Sequence, residues 1–121
     1  MAFDLEINPS DRYELDISGA RGSTLFITVN GTEIGDVPFS PFRADITGAL
    51  KNGENKVEVE VISTLRNTLG PLHHVKGDDL DRTGPGEFCD EANWTDSYQF
   101  VPYGLIEPPK LMKIIIDSVN I

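Results

Sequence analysis

The chain has 121 residues, of which 39% are hydrophobic and 25% are charged, and its formal net charge at pH 7 is −10. This length suits one domain with its own core, so we predict a single domain over residues 1–121. So acidic a surface repels nucleic-acid phosphates and anionic lipid headgroups, which leaves neutral sugars, cations and basic protein surfaces as candidate partners. The single cysteine, Cys89, excludes a disulfide within the chain.

Alternation of apolar and polar residues predicts that the chain consists mainly of β-strands. The clearest case is the run from Val57 to Val61, where valines alternate with glutamates, so that one face is dry and the other wet. Asn30-Gly31 predicts a tight hairpin, because both residues tolerate the positive φ that such a turn requires. The predicted strands cover residues 12–18, 24–30, 32–35, 56–63, 97–106 and 110–117.

Prolines, glycines and one aspartate separate these strands. Pro38 and Pro41 exclude a central strand after the hairpin. A single helical turn is predicted to begin at Asp45, whose carboxylate can accept hydrogen bonds from the free amides of that turn. Leu50 is expected to point into the core. Residues 65–95 form a long irregular stretch, which in a compact domain is usually functional or partly mobile. The sequence shows no long amphipathic helix, and the pattern predicts an all-β antiparallel sandwich.

Several segments in a fixed order carry a resemblance to a known family. "VNGTEIG" and "DITGALKNGENKVEVEV" resemble the recurring core of galactose-binding-like (jelly-roll) sandwich domains of large glycoside hydrolases. "STLRNTLGPLHH", "GPGEF" and "WTDSYQFVPYGLIEPPKL" resemble more particularly the C-terminal accessory sandwich of bacterial rhamnosidase and family 2-like enzymes. The resemblance implies a non-catalytic module that binds carbohydrate or packs on the catalytic domain of its parent. The alternative is a purely structural or interaction module without a sugar site.

The start of the chain departs from this family. Strands normally precede the one that we place at Tyr13, and only residues 1–10 are available for them here. We therefore expect a fragment of a larger chain, which either lacks one or two strands on its N-terminal side or is a smaller variant of the domain. A missing strand would leave a sheet edge exposed, and two copies of the chain would pair there as a homodimer. The sequence assigns no compartment, and a parent enzyme of this class is expected to be secreted or periplasmic.

Aromatic residues are the candidate sugar contacts, because a sugar ring presents C–H faces that pack on aromatic rings. We expect the site at the loop end of the sandwich, built from residues 65–94. The alternative for the tryptophan is a core position at the start of a strand. The candidates are Trp94, Tyr98 and Tyr103, with Arg66, Asn67 and Asp96 as polar neighbours and His73 and His74 as further contacts.

Metal binding is a second hypothesis for the same stretch. Calcium takes six to eight oxygen ligands, and the candidate ligands are Asp78, Asp79 and Asp81. Their spacing is not that of an EF-hand loop, and the alternative is a solvated acidic loop, with no cofactor. The adjacent histidines His73 and His74 lack a Cys or His partner at zinc-ligand spacing, and their side chains are expected to diverge.

Catalysis by the chain itself is the third hypothesis. Glycoside hydrolysis uses two carboxyl groups held about 5 to 9 Å apart across a sugar cleft. Glu87, Asp90 and Glu91 supply carboxyl groups, but a loop on a small sandwich holds such a pair poorly. We therefore predict that the chain alone is not an enzyme and that its parent is a glycoside hydrolase.

Overall fold

The computed structural model describes residues 1–76, 78 and 91–116. The backbone forms two compact units, the sandwich unit (Met1–Ser63 and the chain from Tyr103 onward) and the loop unit (Thr64–Pro102). The strands are β1 (Ala2–Leu5), β2 (Arg12–Asp16), β3 (Ala20–Arg21), β4 (Thr24–Val29), β5 (Thr32–Val37), β6 (Arg43–Asp45), β7 (Gly53–Ile62), β8 (Gly104–Leu105) and β9 (Lys110–Ile114). The helical segments are a 3-10 turn at Thr47–Ala49, α1 (Arg66–Leu69) and a 3-10 turn at Glu91–Asn93. Among the described residues, no helix has the length and apolar character needed to span a membrane.

The strands of the sandwich unit pair only with antiparallel neighbours. One sheet has the order β1-β7-β4-β5, a second has the order β6-β2-β9, and β3 pairs with β8. This arrangement confirms the predicted all-β antiparallel sandwich. Strand β1 pairs with β7 and uses residues that the sequence pattern left unassigned. The outer strands of the two larger sheets are β1, β5, β6 and β9, and pairing of two copies through such an edge stays a prediction.

The core lies where the alternating faces of β2, β4 and β7 meet. The predicted contribution of Tyr13, Leu15 and Ile17 is confirmed, because all three are buried in one cluster with Val57. Val59 and Val61 pack against this cluster and remain partly exposed. Each fully buried aliphatic side chain contributes about 2 kcal/mol through loss of apolar contact with water. The buried hydrophobic residues are Tyr13, Leu15, Ile17, Ala20, Leu25, Ile27, Val29, Phe42, Ile46 and Val57.

The predicted Asn30-Gly31 hairpin is confirmed. Asn30 has a φ of 52° and Gly31 a φ of 81°, as a two-residue turn between twisted strands requires. Strand β5 continues two residues past its predicted end, and the β4–β5 ladder shifts its register between Ile27 and Thr28. Gly35 lies opposite this irregularity with a φ of 123°, a conformation that favours glycine.

A buried amide connects the Asn30-Gly31 turn to residues 51–53. The side chain of Asn55 has no solvent exposure. Its Oδ1 accepts from Asn30 Nδ2 at 2.8 Å and from the Lys51 amide at 2.9 Å. Its Nδ2 donates to the carbonyls of Lys51 at 2.7 Å and Gly53 at 2.9 Å. All four hydrogen bonds of the amide stay within the protein, so Asn55 holds residues 51–53 against the Asn30-Gly31 turn.

The predicted strand over residues 97–106 is wrong, because strand geometry covers only Gly104–Leu105 there. Asn67 Nδ2 donates to the Val101 carbonyl at 2.8 Å, and Asn67 Oδ1 accepts from the Val101 amide at 2.9 Å. A side chain therefore takes the backbone groups that a neighbouring strand would use, and Pro102 has no amide hydrogen to offer. The last predicted strand is confirmed over Lys110–Ile114.

Asp45 lies two residues before the 3-10 turn, which begins after Ile46. Its carboxylate accepts hydrogen bonds from the Thr47 amide at 3.0 Å and the Thr47 hydroxyl at 2.6 Å. Arg12 Nη2 lies 2.7 Å from Asp45 Oδ2. The Thr47 bonds and then the Arg12 guanidinium lower the pKa of Asp45 from 3.8 to about 2. The N-cap position is Ile46, which has no side-chain cap hydrogen bond, so the predicted cap by Asp45 is wrong, and the Asp45 carboxylate instead holds Thr47, the first residue of the turn.

We expect Asp45→Asn to reduce the acid sensitivity of the sandwich unit. A carboxyl whose pKa falls on folding stabilises the fold above its unfolded value of 3.8, and this contribution is lost as the pH falls through about 2. Urea midpoints at pH 5 and pH 2.5 measure the change. The wild type should lose more stability between these two pH values than the variant. Equal losses in both proteins would contradict this assignment.

Candidate functional site

Most of the candidate sugar contacts lie in the loop unit. Arg66 and Asn67 begin α1, the two histidines follow it, and Trp94, Asp96 and Tyr98 come after the turn at Glu91–Asn93. Tyr103 is exposed and belongs to the sandwich unit. The residues predicted from sequence that lie outside the described ranges are Asp79, Asp81, Glu87, Cys89 and Asp90.

Four rings form what we call the aromatic platform (His73, Trp94, Tyr98 and Phe100). The His73 and Trp94 rings stack with centroids 4.4 Å apart and an interplanar angle of 22°. Tyr98 lies 4.7 Å from His73, and Phe100 stacks on Tyr98 at 5.6 Å. Trp94 is 44% exposed and Tyr98 is 63% exposed, so the alternative of a core tryptophan is wrong. Sequence reasoning missed Phe100, although its position two residues after Tyr98 was a usable signal.

A short antiparallel contact positions the rings. His74 and Trp94 form an isolated β-bridge, and the Thr95 amide donates to the His73 carbonyl at 2.8 Å. The Val75 amide donates to the Asn93 carbonyl at 2.9 Å on the other side of the bridge. His74 is buried, whereas the His73 ring is part of the aromatic platform, so the two histidines occupy different environments, in line with the expected divergence of their side chains.

Polar atoms at the platform have defined roles. His73 Nδ1 lies 2.9 Å from the Thr95 carbonyl oxygen, and because that oxygen only accepts, Nδ1 carries the hydrogen. In the neutral ring, Nε2 is then an acceptor. Trp94 Nε1 donates to Asp96 Oδ1 at 3.1 Å, which fixes the indole and places a carboxylate at its edge. The platform therefore combines flat apolar faces with a ring nitrogen and a carboxylate.

Arg66 acts as a clamp within the loop unit. Its side chain is only 13% exposed, and its Nε lies 2.6 Å from Asp78 Oδ2. Its two other nitrogens donate to the Gln99 carbonyl at 3.2 Å and the Pro71 carbonyl at 3.4 Å. The guanidinium thus joins α1 to Pro71, to Asp78 and to Gln99, which lies between the platform residues Tyr98 and Phe100. We interpret Arg66 as a positioning residue, and Asn67, which binds the backbone of Val101, as a second one.

Gly70 makes the tight end of α1 compatible with this clamp. Its amide donates to the Arg66 carbonyl at 3.0 Å. A Cβ at position 70 would overlap the Arg66 carbonyl oxygen and approach Arg66 Cδ. Glycine is therefore required here for the close approach of two backbone segments.

The other two hypotheses concern residues that are only partly described. Within residues 1–76, 78 and 91–116, no three His, Cys, Asp or Glu side chains gather as metal ligands. Asp78, one of the calcium candidates, forms the ion pair with Arg66. Glu91, one of the carboxyl groups considered for hydrolysis, begins the turn that precedes Trp94. Calcium binding stays a prediction.

No protein-family model matches the chain. A putative β-glucuronidase from Formosa agariphila is 35% identical over 63 residues, which make up 52% of this chain and 5% of that protein. A rhamnosidase structure from Novosphingobium sp. PP1Y is similar with a TM-score of 0.64 and 24% identity, over 93% of this chain and 10% of that chain. An FMN-binding β-glucuronidase from Facaelibacterium prausnitzii L2-6 is similar with a TM-score of 0.55 and 25% identity, over 93% of this chain and 14% of that chain.

The chain thus spans between 5% and 14% of the length of these proteins. The rhamnosidase likeness shows the fold. Together with the sequence match to the putative β-glucuronidase, these likenesses support a domain related to glycoside hydrolases. They are consistent with a non-catalytic domain of such enzymes.

Proposed function

We propose that the chain is a non-catalytic, galactose-binding-like jelly-roll domain of a larger glycoside hydrolase, and that its aromatic platform binds carbohydrate. The observation that carries the proposal is the exposed Trp94 ring, stacked on His73 and fixed at its edge by Asp96. An exposed, oriented aromatic ring beside polar groups is the arrangement that a sugar-binding surface needs. A ring whose position is already fixed loses little conformational entropy when a ligand binds.

The chemistry of the platform suits a pyranose ring. The C–H face of the sugar packs on the indole of Trp94 or the phenol of Tyr98, which removes apolar surface from water. His73 Nε2 and the Asp96 carboxylate accept hydrogen bonds from sugar hydroxyls. Both acceptors adjoin the rings, since His73 stacks on Trp94 and Asp96 binds its indole nitrogen. Polar contacts of this kind fix the orientation of a ligand, while the rings supply most of the contact area.

The non-catalytic role is supported by the small share of related enzymes that the chain spans and by the partners of two carboxyl groups of the loop unit, Asp78 and Asp96. Hydrolysis needs an acid and a second carboxylate on opposite sides of the scissile bond. Asp96 binds the Trp94 indole, and Asp78 binds Arg66, so these two described carboxylates are committed to holding the loop unit. Their partners favour a structural role over acid–base chemistry.

Trp94→Ala is expected to weaken sugar binding by about tenfold or more, because the main stacking surface is removed. Titration calorimetry of the purified chain against a glycan panel, with and without calcium, measures the affinity and identifies the best ligand. Phe39→Ala removes an exposed ring from the sandwich unit, at a position that is not a candidate sugar contact, and serves as the matched control. We expect this control to bind like the wild type. Absence of binding to every glycan, or an unchanged affinity for Trp94→Ala, would count against the proposal.

A second candidate function is packing against the catalytic domain of the parent enzyme. The observation in its favour is the exposure of Leu65 and Leu69, two apolar side chains at the ends of α1. Leu65 and Leu69 are four residues apart and so share one face of α1, and a contiguous exposed apolar patch is typical of contacts with another domain. Nuclear magnetic resonance of the chain with added catalytic domain tests this function. Signals of Leu65 and Leu69 should shift, while a glycan panel should leave them unchanged.

A further inference from the structure

The charges of the loop unit bear on which sugars the aromatic platform accepts. Over residues 64–102 the sequence holds seven acidic residues and three basic ones, a formal charge of −4 within a chain of −10. Asp96 lies at the edge of the indole, where its Oδ1 accepts the Trp94 Nε1 hydrogen. Glu91 is exposed at the start of the turn that leads to Trp94. An anionic sugar would therefore approach rings that have carboxylates beside them.

Arg66, the described arginine of the loop unit, does not offset this charge at the rings. A sugar carboxylate is normally bound by a guanidinium or ammonium group that faces it. Arg66 is largely buried and directs its nitrogens to Asp78 and to two carbonyls. Lys76 follows the buried His74, and its amide is held by Asn93 Oδ1 at 3.0 Å, at the end of the bridge away from Thr95. The atoms adjoining the rings are hydrogen-bond acceptors, which suit hydroxyl groups.

We infer that the aromatic platform binds neutral sugars and discriminates against uronic acids, an inference that rests on the proposed function. A neutral sugar donates its hydroxyl hydrogens to His73 Nε2 and Asp96. A uronic acid of the same stereochemistry carries a carboxylate in place of one hydroxymethyl group. The negative charge of the platform repels this carboxylate, and the described residues of the loop unit offer no free guanidinium to bind it. The discrimination is electrostatic, so salt should weaken it.

The test uses the purified chain and pairs of methyl glycosides that differ only at C6, namely glucose with glucuronic acid and galactose with galacturonic acid. Trp94 is the single tryptophan of the chain, so its fluorescence reports binding directly. At about 20 mM salt we expect the neutral member to bind roughly fivefold or more tightly. The ratio should fall towards one at about 500 mM salt, where charges are screened within a few Å.

Asp96→Asn tests the origin of the discrimination, because the amide oxygen can still accept the indole hydrogen while the charge is removed. The affinity ratio should fall in this variant at low salt. Glu33→Gln, which removes an exposed charge from β5 of the sandwich unit, should leave the ratio unchanged. Equal or tighter binding of the uronic acid, or a ratio unaffected by Asp96→Asn, would overturn the inference while leaving sugar binding intact. Failure of every glycoside to bind would overturn the proposed function as well.

Discussion

Asn55→Ala is expected to destabilise the sandwich unit by about 3 kcal/mol or more, a decrease on the order of 10 °C in Tm. The substitution leaves the amide and carbonyl of Lys51, the carbonyl of Gly53 and one Asn30 amide hydrogen without their partner. A buried polar group that loses its hydrogen bond keeps the full cost of its desolvation. Because four bonds meet at one buried side chain, the loss should exceed that of any single surface bond.

Urea unfolding of the variant and the wild type measures this loss. Asn52→Ala is the matched control, because the exposed Asn52 side chain accepts one bond, from the Ile7 amide at 2.7 Å. We expect the control to lose about 1 kcal/mol. Asn55→Asp preserves the shape but replaces the two donated hydrogens, so it should be destabilised as strongly as the alanine variant. If the Asn55 variants unfold at the same urea concentration as the wild type, the Asn55 side chain does not stabilise the contact between residues 51–53 and the Asn30-Gly31 turn.

Local signals made the sandwich unit predictable. The Asn30-Gly31 turn, the alternation around Leu15 and the alternation from Val57 to Val61 each depend on residues that are close in sequence. Each of these patterns selects one face of a strand, so the buried layer follows from the sequence. The all-β sandwich was therefore predicted, although the pairing of β1 with β7 was not, because short edge strands carry little pattern.

The loop unit was less predictable, because its contacts join residues that are far apart in sequence. The segment around Tyr98 alternates like a strand, but Asn67 binds Val101 across 34 residues and takes its backbone groups. Trp94 was identified as a candidate, yet its stack on His73 depends on a bridge across 20 residues that no local pattern reveals. Arg66 was predicted beside a sugar, whereas its nitrogens bind the loop itself.

Different interactions stabilise the two units. In the sandwich unit, apolar burial selects the structure, so a conservative change on an outer face should cost little. In the loop unit, few described side chains are buried, and side-chain hydrogen bonds to the backbone hold the segments that carry the rings. The platform should therefore be sensitive to polar substitutions at positions that do not touch a ligand. Arg66 is the strongest case, because its guanidinium binds three separate segments.

Arg66→Met is expected to lower the local stability of the loop unit by about 3 kcal/mol, because several charge-assisted hydrogen bonds are lost and Asp78 loses its partner. Methionine retains much of the apolar stem, so the change removes mainly the polar contacts. Hydrogen exchange at the Gly70 and Gln99 amides, which bond within the loop unit, should become about a hundredfold faster. Exchange at the Val57 amide should change little, because it belongs to the sandwich unit.

The Arg66→Met variant also tests whether the hydrogen bonds of Arg66 position the aromatic platform. None of the described hydrogen bonds of the Arg66 side chain goes to a ring of the platform. If Arg66 nevertheless positions the platform, Arg66→Met should shift the fluorescence emission of Trp94 and weaken sugar binding. Arg66→Lys should give an intermediate loss, since an ammonium cannot match the guanidinium's forked geometry. Gly70→Ala should reproduce the effect by a separate route, because the new Cβ displaces the Arg66 carbonyl. Arg12→Met, which breaks an exposed pair in the sandwich unit, should leave Trp94 emission unchanged. If both Arg66→Met and Gly70→Ala keep the emission and the sugar affinity of the wild type, the hydrogen bonds of Arg66 do not position the aromatic platform.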